Sequence, residues 1–418
     1  MSDSAFHRRS GRLFAEEVAL EEVAARYGTP CYVYSRAAIE GRWSRYCEAL
    51  GDRGQVCYAV KANGNLALLG LLAQAGAGFD IVSGGELARV LRAGGDAGRV
   101  VFSGVGKGSR EIRRALLAGI RCFNVESGAE LERIAAIAAE TGTRAPIALR
   151  VNPDVNPETH PYIATGLAES KFGIPLEEAT ALYRQAADHP SLDVRGIACH
   201  IGSQLLNVAP LREAAERVRE LLDTLQALDI PIEHVDMGGG LGVRYRDESP
   251  PDPADHVEAI LPPFTETGVE ILIEPGRAIV AEAGVLLTRV EYLKENGART
   301  FAIVDAGMND YLRPALYDAE HTLEPINTGA GRPLRPLDVV GPVCESADRF
   351  ATGYPLSVEA GDVLAVRSAG AYGSAMSSQY NARPRPPEVL VDGGQTHLIR
   401  ERETVDDLMR GESLLPGG

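Results

Sequence analysis

Four short segments of this chain carry residue types that can do chemistry together. Cys57-Tyr58-Ala59-Val60-Lys61-Ala62-Asn63 brings an apolar run to an end on a lysine. Burial there lowers a lysine's pKa and frees its lone pair, so Lys61 reads as a Schiff-base nucleophile. Cys199-His200-Ile201-Gly202-Ser203-Gln204 supplies an imidazole able to stack on a flat ring, then the Ser203 hydroxyl. Gly238-Gly239-Gly240-Leu241-Gly242 lets backbone N–H groups come close to a phosphate. Glu274-Pro275-Gly276-Arg277 sets a carboxylate beside a guanidinium that can grip a phosphate or a carboxylate with two bonds. Each has a plainer reading alone: a rim lysine, a hydrogen-bonded histidine, a tight turn, a satisfied rim glutamate. Together they meet the needs of pyridoxal phosphate (PLP). Glu274 against the pyridine nitrogen keeps the ring protonated and a strong electron sink, which favours decarboxylation. An arginine in its place would suit racemisation.

Three later segments stand out. Asp305-Ala306-Gly307-Met308-Asn309-Asp310 leads to Arg313 and Tyr317. Gly341-Pro342-Val343-Cys344-Glu345-Ser346-Ala347-Asp348 sets a thiol beside a carboxylate, so Cys344 is a candidate acid or nucleophile, or only packing. Gly370-Ala371-Tyr372-Gly373 puts an aromatic between glycines.

The elements that must position these residues alternate in type. Short apolar strands are expected at Gln55–Val60, Gly78–Val82, Arg99–Phe102, Ile120–Val125, Pro146–Val151, Val194–Cys199, Glu233–Met237 and Glu270–Ile273. Helical periods lie between them, several closed by glycine, as at Gly76, Gly94, Gly119 and Gly142. The expected fold is α/β: a (β/α)8 TIM-type barrel over 37–281, with active groups past the C-terminal strand ends. Lys61, Asp80, Ser103, Asn124, Arg150, His200, Gly238 and Glu274 fall there. A doubly wound sheet is the rival, but no Gly-x-Gly-x-x-Gly follows the first strand. From about residue 282 the pattern turns to strands joined by turns, at Gly284–Lys294, Thr300–Asp305, Asp338–Cys344, Asp362–Arg367, Glu388–Val391 and Thr396–Arg402. Residues 1–36, through a strand at Thr29–Ser35, and 282–418 are expected to form a mostly antiparallel β-sandwich or β-barrel domain. No internal repeat is expected beyond the βα alternation.

Composition narrows the partners. The 418 residues carry a net charge of -16, which disfavours nucleic acid and anionic membrane. Six cysteines with no Cys-x-x-Cys pair argue against a disulfide framework and a zinc cage, so no metal is expected. Residues 1–22 lack the apolar core of a signal peptide, and no apolar run is long enough to span a bilayer. The expected location is the cytoplasm.

These segments, with Thr165-Gly166-Leu167-Ala168-Glu169-Ser170-Lys171-Phe172-Gly173-Ile174, resemble the fold-type III PLP-dependent decarboxylases, the alanine racemase-like barrel family. The match runs from about Tyr32 to about Ile399. The resemblance implies that Lys61 carries PLP, His200 stacks on it and Glu274 holds its ring nitrogen. Ser203, Gly239, Gly240, Gly276 and Arg277 lie around the phosphate, Tyr372 closes the pocket, and Asp80, Glu86 and Arg150 support it. Arg277, Arg313, Tyr317, Glu345 and Tyr372 are the implied substrate contacts, and Cys344 the proton donor after carbon dioxide leaves. It also implies a head-to-tail homodimer with shared active sites, in which Cys344 and Glu345 enter the partner's site. A glutamate after Cys344 and the Glu169-Ser170-Lys171-Phe172 stretch point to decarboxylation of meso-2,6-diaminopimelate to L-lysine, the last step of lysine biosynthesis. Carboxynorspermidine, ornithine or arginine are alternative substrates, and a non-catalytic PLP-fold regulator is an alternative of another class. Ala347, where the family often has glycine, and Met308, where a bulkier side chain is common, are minor departures.

Overall fold

A computed structural model describes residues 5–156, 171–328 and 332–415. Most of the Thr165–Ile174 stretch, including Glu169 and Ser170, lies outside the described residues. The chain divides into two compact units. One holds residues 40–243 and 248–279; the other holds the described residues of 1–39, 244–247 and 280–418.

In the first unit eight parallel strands close into a ring. They are β1 (Gly54–Ala59), β2 (Gly78–Ile81), β3 (Val100–Phe102), β4 (Cys122–Val125), β5 (Ala145–Asn152), β6 (Leu192–Cys199), β7 (His234–Asp236) and β8 (Glu270–Ile273). Pairing of β8 with β1, Ile271 opposite Gly54, and of β4 with β5, Phe123 opposite Ile147, leaves no gap. The expected barrel is therefore present. The strands are buried along nearly their whole length because one face meets the barrel interior and the other the helices. Cys57, Val101, Cys122, Ala148, Ala198 and Leu272, from six of the strands, pack into one cluster.

Helices follow the strands: α1 (Leu66–Gln74), α2 (Gly84–Arg92), α3 (Ser109–Ala118), α4 (Gly128–Thr141), α5 (Leu176–Asp188), α6 (Ala209–Gln226) and α7 (Pro253–Ile260). Side chains start several of them. The Asn65 side chain accepts the Ala67 N–H, Ser83 that of Glu86 and Ser127 that of Glu130. Such caps satisfy amides the helix cannot. Gly76, Gly94, Gly119 and Gly142 all take positive φ, as expected of helix-ending glycines.

The second unit is a mostly antiparallel sheet around the long strand Gly284–Asn296. Its first half pairs with Cys31–Ser35 and Val363–Val366, and its second half with Arg299–Val304. A register shift between Val290 and Tyr292 marks the change of partner. Several expectations need correction. The strand expected over Asp338–Cys344 is Arg335–Val340, and Gly341–Cys344 leaves the sheet. A strand at Arg349–Leu356 was hidden by Gly353 and Pro355, which weaken a strand pattern. Within residues 1–36, expected to join the β domain, no strand was expected before Thr29, yet Phe6–Arg9, Arg12–Ala15 and Val18–Ala19 are strands and Leu20–Tyr27 is a helix.

Candidate active site

The strand order places a ring of polar side chains at one end of the barrel. Lys61 lies in a short 3-10 turn, Val60–Ala62, directly after β1. The Tyr58 hydroxyl donates to the Asn63 carbonyl at 2.9 Å and ties that turn down. Lys61 Nζ lies 2.6 Å from Asp80 Oδ2 on β2. Asp80 is fully buried, and its Oδ1 has no hydrogen-bond partner.

Across the ring, Glu274 follows β8 and Asp236 ends β7. Burial, then the charges of Asp236 and Asp80, push the Glu274 carboxyl well above its usual range. Burial also raises Asp236, against hydrogen bonds from Glu274, the Gly238 N–H and the Asn124 amide. Two carboxylates this close cannot both ionise, so the pair retains a proton. Asn124 Nδ2 bridges them, 3.1 Å from Asp236 Oδ2 and 3.4 Å from Glu274 Oε1. Ser103 Oγ donates to the same Glu274 oxygen at 3.4 Å.

His200, just past β6, accepts the Gly239 N–H at Nδ1, 3.2 Å away. Burial, then the charges of Arg150 and Lys61, hold its pKa well below the ordinary imidazole value. The ring is therefore neutral, with Nδ1 accepting and the proton on Nε2. The glycines after β7 answer to their neighbours. A Cβ on Gly239 would stand 2.3 Å from the Glu274 carbonyl oxygen, and one on Gly240 2.4 Å from that of Gly202. A Cβ on Gly276 would meet Ala59 at 2.9 Å. Ser203 Oγ accepts from Arg277 Nε at 3.3 Å and Nη2 at 2.9 Å, so the two form one polar edge. Arg150 Nη1 donates to Glu126 Oε1 at 3.0 Å, and its guanidinium lies 5.0 Å from the Phe172 ring centre.

Sequence reasoning passed over Asp236, Glu126, Glu130 and Lys107. Glu126 binds the Gly104 and Gly173 amides as well as Arg150. The buried Lys107 ammonium lies 2.7 Å from Glu130. A signal for Glu130 was available: Phe79-Asp80-Ile81-Val82-Ser83-Gly84-Gly85-Glu86-Leu87 and Phe123-Asn124-Val125-Glu126-Ser127-Gly128-Ala129-Glu130-Leu131 are the same strand, cap and helix start written twice. The expectation of no repeat beyond the βα alternation missed this. In each copy the glutamate accepts the N–H of the residue before the cap, at 2.7 Å for Glu86 and 2.9 Å for Glu130.

The second unit holds the other candidates in three groups. Arg313 begins the helix Arg313–Tyr317, with Tyr317 at its end. Cys344 is exposed, and its N–H donates to Asn381 Oδ1 at 3.0 Å. Glu345, also exposed, accepts the Tyr380 hydroxyl at 2.5 Å. Tyr372 has a φ of 54°. That left-handed backbone is strained for a tyrosine, which flags a functional constraint.

Residues 36–281 match the family profile described as "Pyridoxal-dependent decarboxylase, pyridoxal binding domain". A diaminopimelate decarboxylase of Pseudomonas aeruginosa is 57% identical over 98% of this chain and 99% of its own length. The chain belongs to the diaminopimelate decarboxylase family of PLP-dependent decarboxylases. The solved Helicobacter pylori member, complexed with L-lysine, has 44% identity and a TM-score of 0.90, covering 94% of this chain and 98% of that one. The M. jannaschii member, also with L-lysine, has 40% identity and a TM-score of 0.93, covering 98% of each chain.

PLP is the family's cofactor, and the residues at the barrel mouth fit it. Asp80, Asp236 and Glu274 bring more carboxylate than Lys61 offsets, which suits a cationic ring nitrogen. The polar edge of Ser203 and Arg277 suits a phosphate, and the orphaned Asp80 oxygen leaves an acceptor for a donor on the ligand.

Proposed function

We propose that this protein decarboxylates meso-2,6-diaminopimelate to L-lysine, with Lys61 as the cofactor lysine. The observation that carries the site reading is the Lys61–Asp80 contact facing the proton-holding pair Asp236 and Glu274. The relatives named diaminopimelate decarboxylase, and the solved relatives that hold L-lysine, support the substrate. PLP bound there supplies an electron sink for the pair left when carbon dioxide departs.

The chain's own residues do the rest. Asp80 holds the Lys61 ammonium at 2.6 Å and orients its Nζ. Glu274 holds a proton at its carboxyl, ready to serve a ring nitrogen, and Asn124 and Ser103 fix its rotamer. His200 offers a flat neutral face that adds no charge. Ser203, Gly239, Gly240, Gly276 and Arg277 bind the phosphate, and Arg150 holds the loop beside it through Glu126. Arg277, Arg313, Tyr317 and Tyr372 bind the substrate, with Arg313 taking the far carboxylate and Glu345 the far ammonium. Cys344 Sγ returns a proton to the α-carbon.

The exposure of Cys344 and Glu345 supports a head-to-tail homodimer in which each enters the partner's site. Mixed Lys61→Ala and Cys344→Ala chains then regain about a quarter of native activity, because each mixed dimer holds one intact site. No recovery on mixing refutes the shared site. Among the described residues every cysteine is free and no helix is long and apolar enough to cross a membrane, which supports a cytoplasmic location.

The test of function is direct. PLP-loaded protein is given meso-diaminopimelate, L-ornithine and L-arginine separately, and carbon dioxide and amine product are measured. Lysine from diaminopimelate alone is expected. Turnover of ornithine or arginine instead refutes the roles of Arg313 and Glu345.

A further inference from the structure

Arg313 is a buried cation held by aromatic rings. Its relative exposure is 6%, its Nε has no hydrogen-bond partner, and no ion pair to it exists among the described residues. Its guanidinium lies 4.4 Å from the ring centre of Tyr245 and 5.6 Å from that of Tyr317. A desolvated cation over an aromatic face is stabilised without being neutralised. A carboxylate partner would have cancelled the charge. These rings keep it available for an incoming anion.

Tyr245 is itself braced. It belongs to Arg244–Asp247, the short segment that groups with the second unit. Its carbonyl accepts from Thr322 N at 2.9 Å and Thr322 Oγ1 at 3.1 Å. The neighbouring Arg244 carbonyl accepts from Ser368 Oγ at 2.7 Å. The His321 ring packs edge-on to Tyr245 at 4.7 Å and to Tyr311 at 4.9 Å. His321 is fixed in turn by the Tyr311 hydroxyl, 3.1 Å from Nε2, and the Arg367 carbonyl, 3.1 Å from Nδ1. Arg313, Tyr245, His321 and Tyr311 are all at least nine-tenths buried, so the stack has little freedom to relax.

We propose that Tyr245, braced by His321 and Tyr311, is a positioning residue that aims the unpaired Arg313 guanidinium at the far carboxylate of the substrate and so sets selectivity for a substrate with an amino-acid head at each end. This rests on the reading of Arg313 as a substrate contact. Decarboxylation at one end leaves the other head intact, so L-lysine keeps the far carboxylate and cadaverine lacks it. The stack should matter to the first ligand and be silent to the second.

The experiment uses the PLP-loaded enzyme with Tyr245→Met, Tyr245→Phe, His321→Asn and Arg313→Gln. It reads KM and kcat for diaminopimelate, and inhibition by L-lysine and by cadaverine. Tyr245→Met is expected to raise KM and the lysine inhibition constant about tenfold, the scale of a desolvated cation–π contact. It should leave kcat and cadaverine inhibition near native. Tyr245→Phe keeps the ring face and should restore both constants. His321→Asn should weaken lysine in the same pattern about two- to threefold, and it serves as the test should Tyr245→Met not fold. If Arg313→Gln leaves KM and lysine inhibition unchanged, the substrate reading of Arg313 itself is wrong. If Arg313→Gln weakens both but Tyr245→Met and His321→Asn do not, the positioning role alone is overturned. Equal weakening of lysine and cadaverine in Tyr245→Met also overturns it, because the damage is then not specific to the carboxylate.

Discussion

Glu86 and Glu130 occupy the same place in the two copies of the strand, cap and helix start, yet the same substitution should act on them with opposite sign. Burial raises the Glu86 carboxyl from 4.5 to about 7, and the charge of Asp80 adds to this. In the folded protein Glu86 holds a proton that the unfolded chain has already released. Stability therefore falls as pH rises from about 4.5 to about 7, and the loss is complete above that window. At about 1.4 kcal/mol per unit, the full loss is roughly 3 kcal/mol by pH 8 and about 1.4 kcal/mol at pH 5.5. Glu86→Gln keeps an acceptor for the Val82 amide and removes the titration. Its advantage over the native chain should grow by about 2 kcal/mol between pH 5.5 and pH 8. Glu130→Gln is the control. It leaves the Lys107 ammonium, 3% exposed, without its 2.7 Å partner, although the Gly104 and Asn124 carbonyls still accept from it. Breaking such a buried pair costs about 3–5 kcal/mol. The assay is urea unfolding of the PLP-free protein at both pH values, comparing midpoints at matched slopes. If the gap between Glu86→Gln and native is the same at both pH values, Glu86 does not titrate in this window and the burial argument fails.

Three further outcomes follow from the barrel mouth. Lys61→Ala should abolish turnover and the visible absorbance of attached cofactor, and turnover with PLP would end the assignment. Glu274→Gln should stabilise the PLP-free protein by about 1–3 kcal/mol, because it relieves a crowded carboxyl pair. The same variant should cut kcat at least about a hundredfold with little change in KM, and an unchanged kcat would mean that the Glu274 proton is not used. Gly239→Ala should abolish PLP retention, because its Cβ would fall 2.3 Å from the Glu274 carbonyl oxygen, and dialysis followed by cofactor absorbance reads this out.

The barrel was legible because its signals are local and repeated. Most strands, such as Val101-Phe102-Ser103, are short, apolar and followed by a polar residue, and several of the helices end on a glycine such as Gly119. Closure itself is not local: only the count of eight implied that β8 would meet β1. Lys61, Asp80, His200 and Glu274 were readable because each sits at a strand end, where the fold class alone says what a side chain faces. Asp236 was missed although it too ends a strand. An acid beside the glycine run reads as ordinary turn polarity until its distance from Glu274 is known. Tyr245 was out of reach in another way. Its partner Arg313 is 68 positions away and its brace His321 is 76 away, and nothing in Val243-Arg244-Tyr245-Arg246 sets that tyrosine apart. The β unit was less legible than the barrel because its strands pair out of order, with Glu388–Asp392 beside Cys31–Ser35.

The charge arrangement at the barrel mouth explains why this site must be built from buried groups. Asp80, Asp236 and Glu274 are each at least nine-tenths buried, and Lys61 contacts the first at 2.6 Å. Glu126 is committed to Arg150 and to two backbone amides, so it adds no free charge to the mouth. In water such acids would lose their protons and Glu274 could not hold one at neutral pH. Burial reverses this: desolvation makes a second negative charge beside Asp236 so unfavourable that a proton stays on the pair. That proton, held by Glu274, is what an electron-deficient ring nitrogen requires. The same crowding makes the PLP-free mouth costly to assemble, a cost that a protonated ring nitrogen placed beside Glu274 relieves. Catalytic readiness and cofactor affinity thus come from one feature, and substitutions that make the empty barrel more stable should make the enzyme worse.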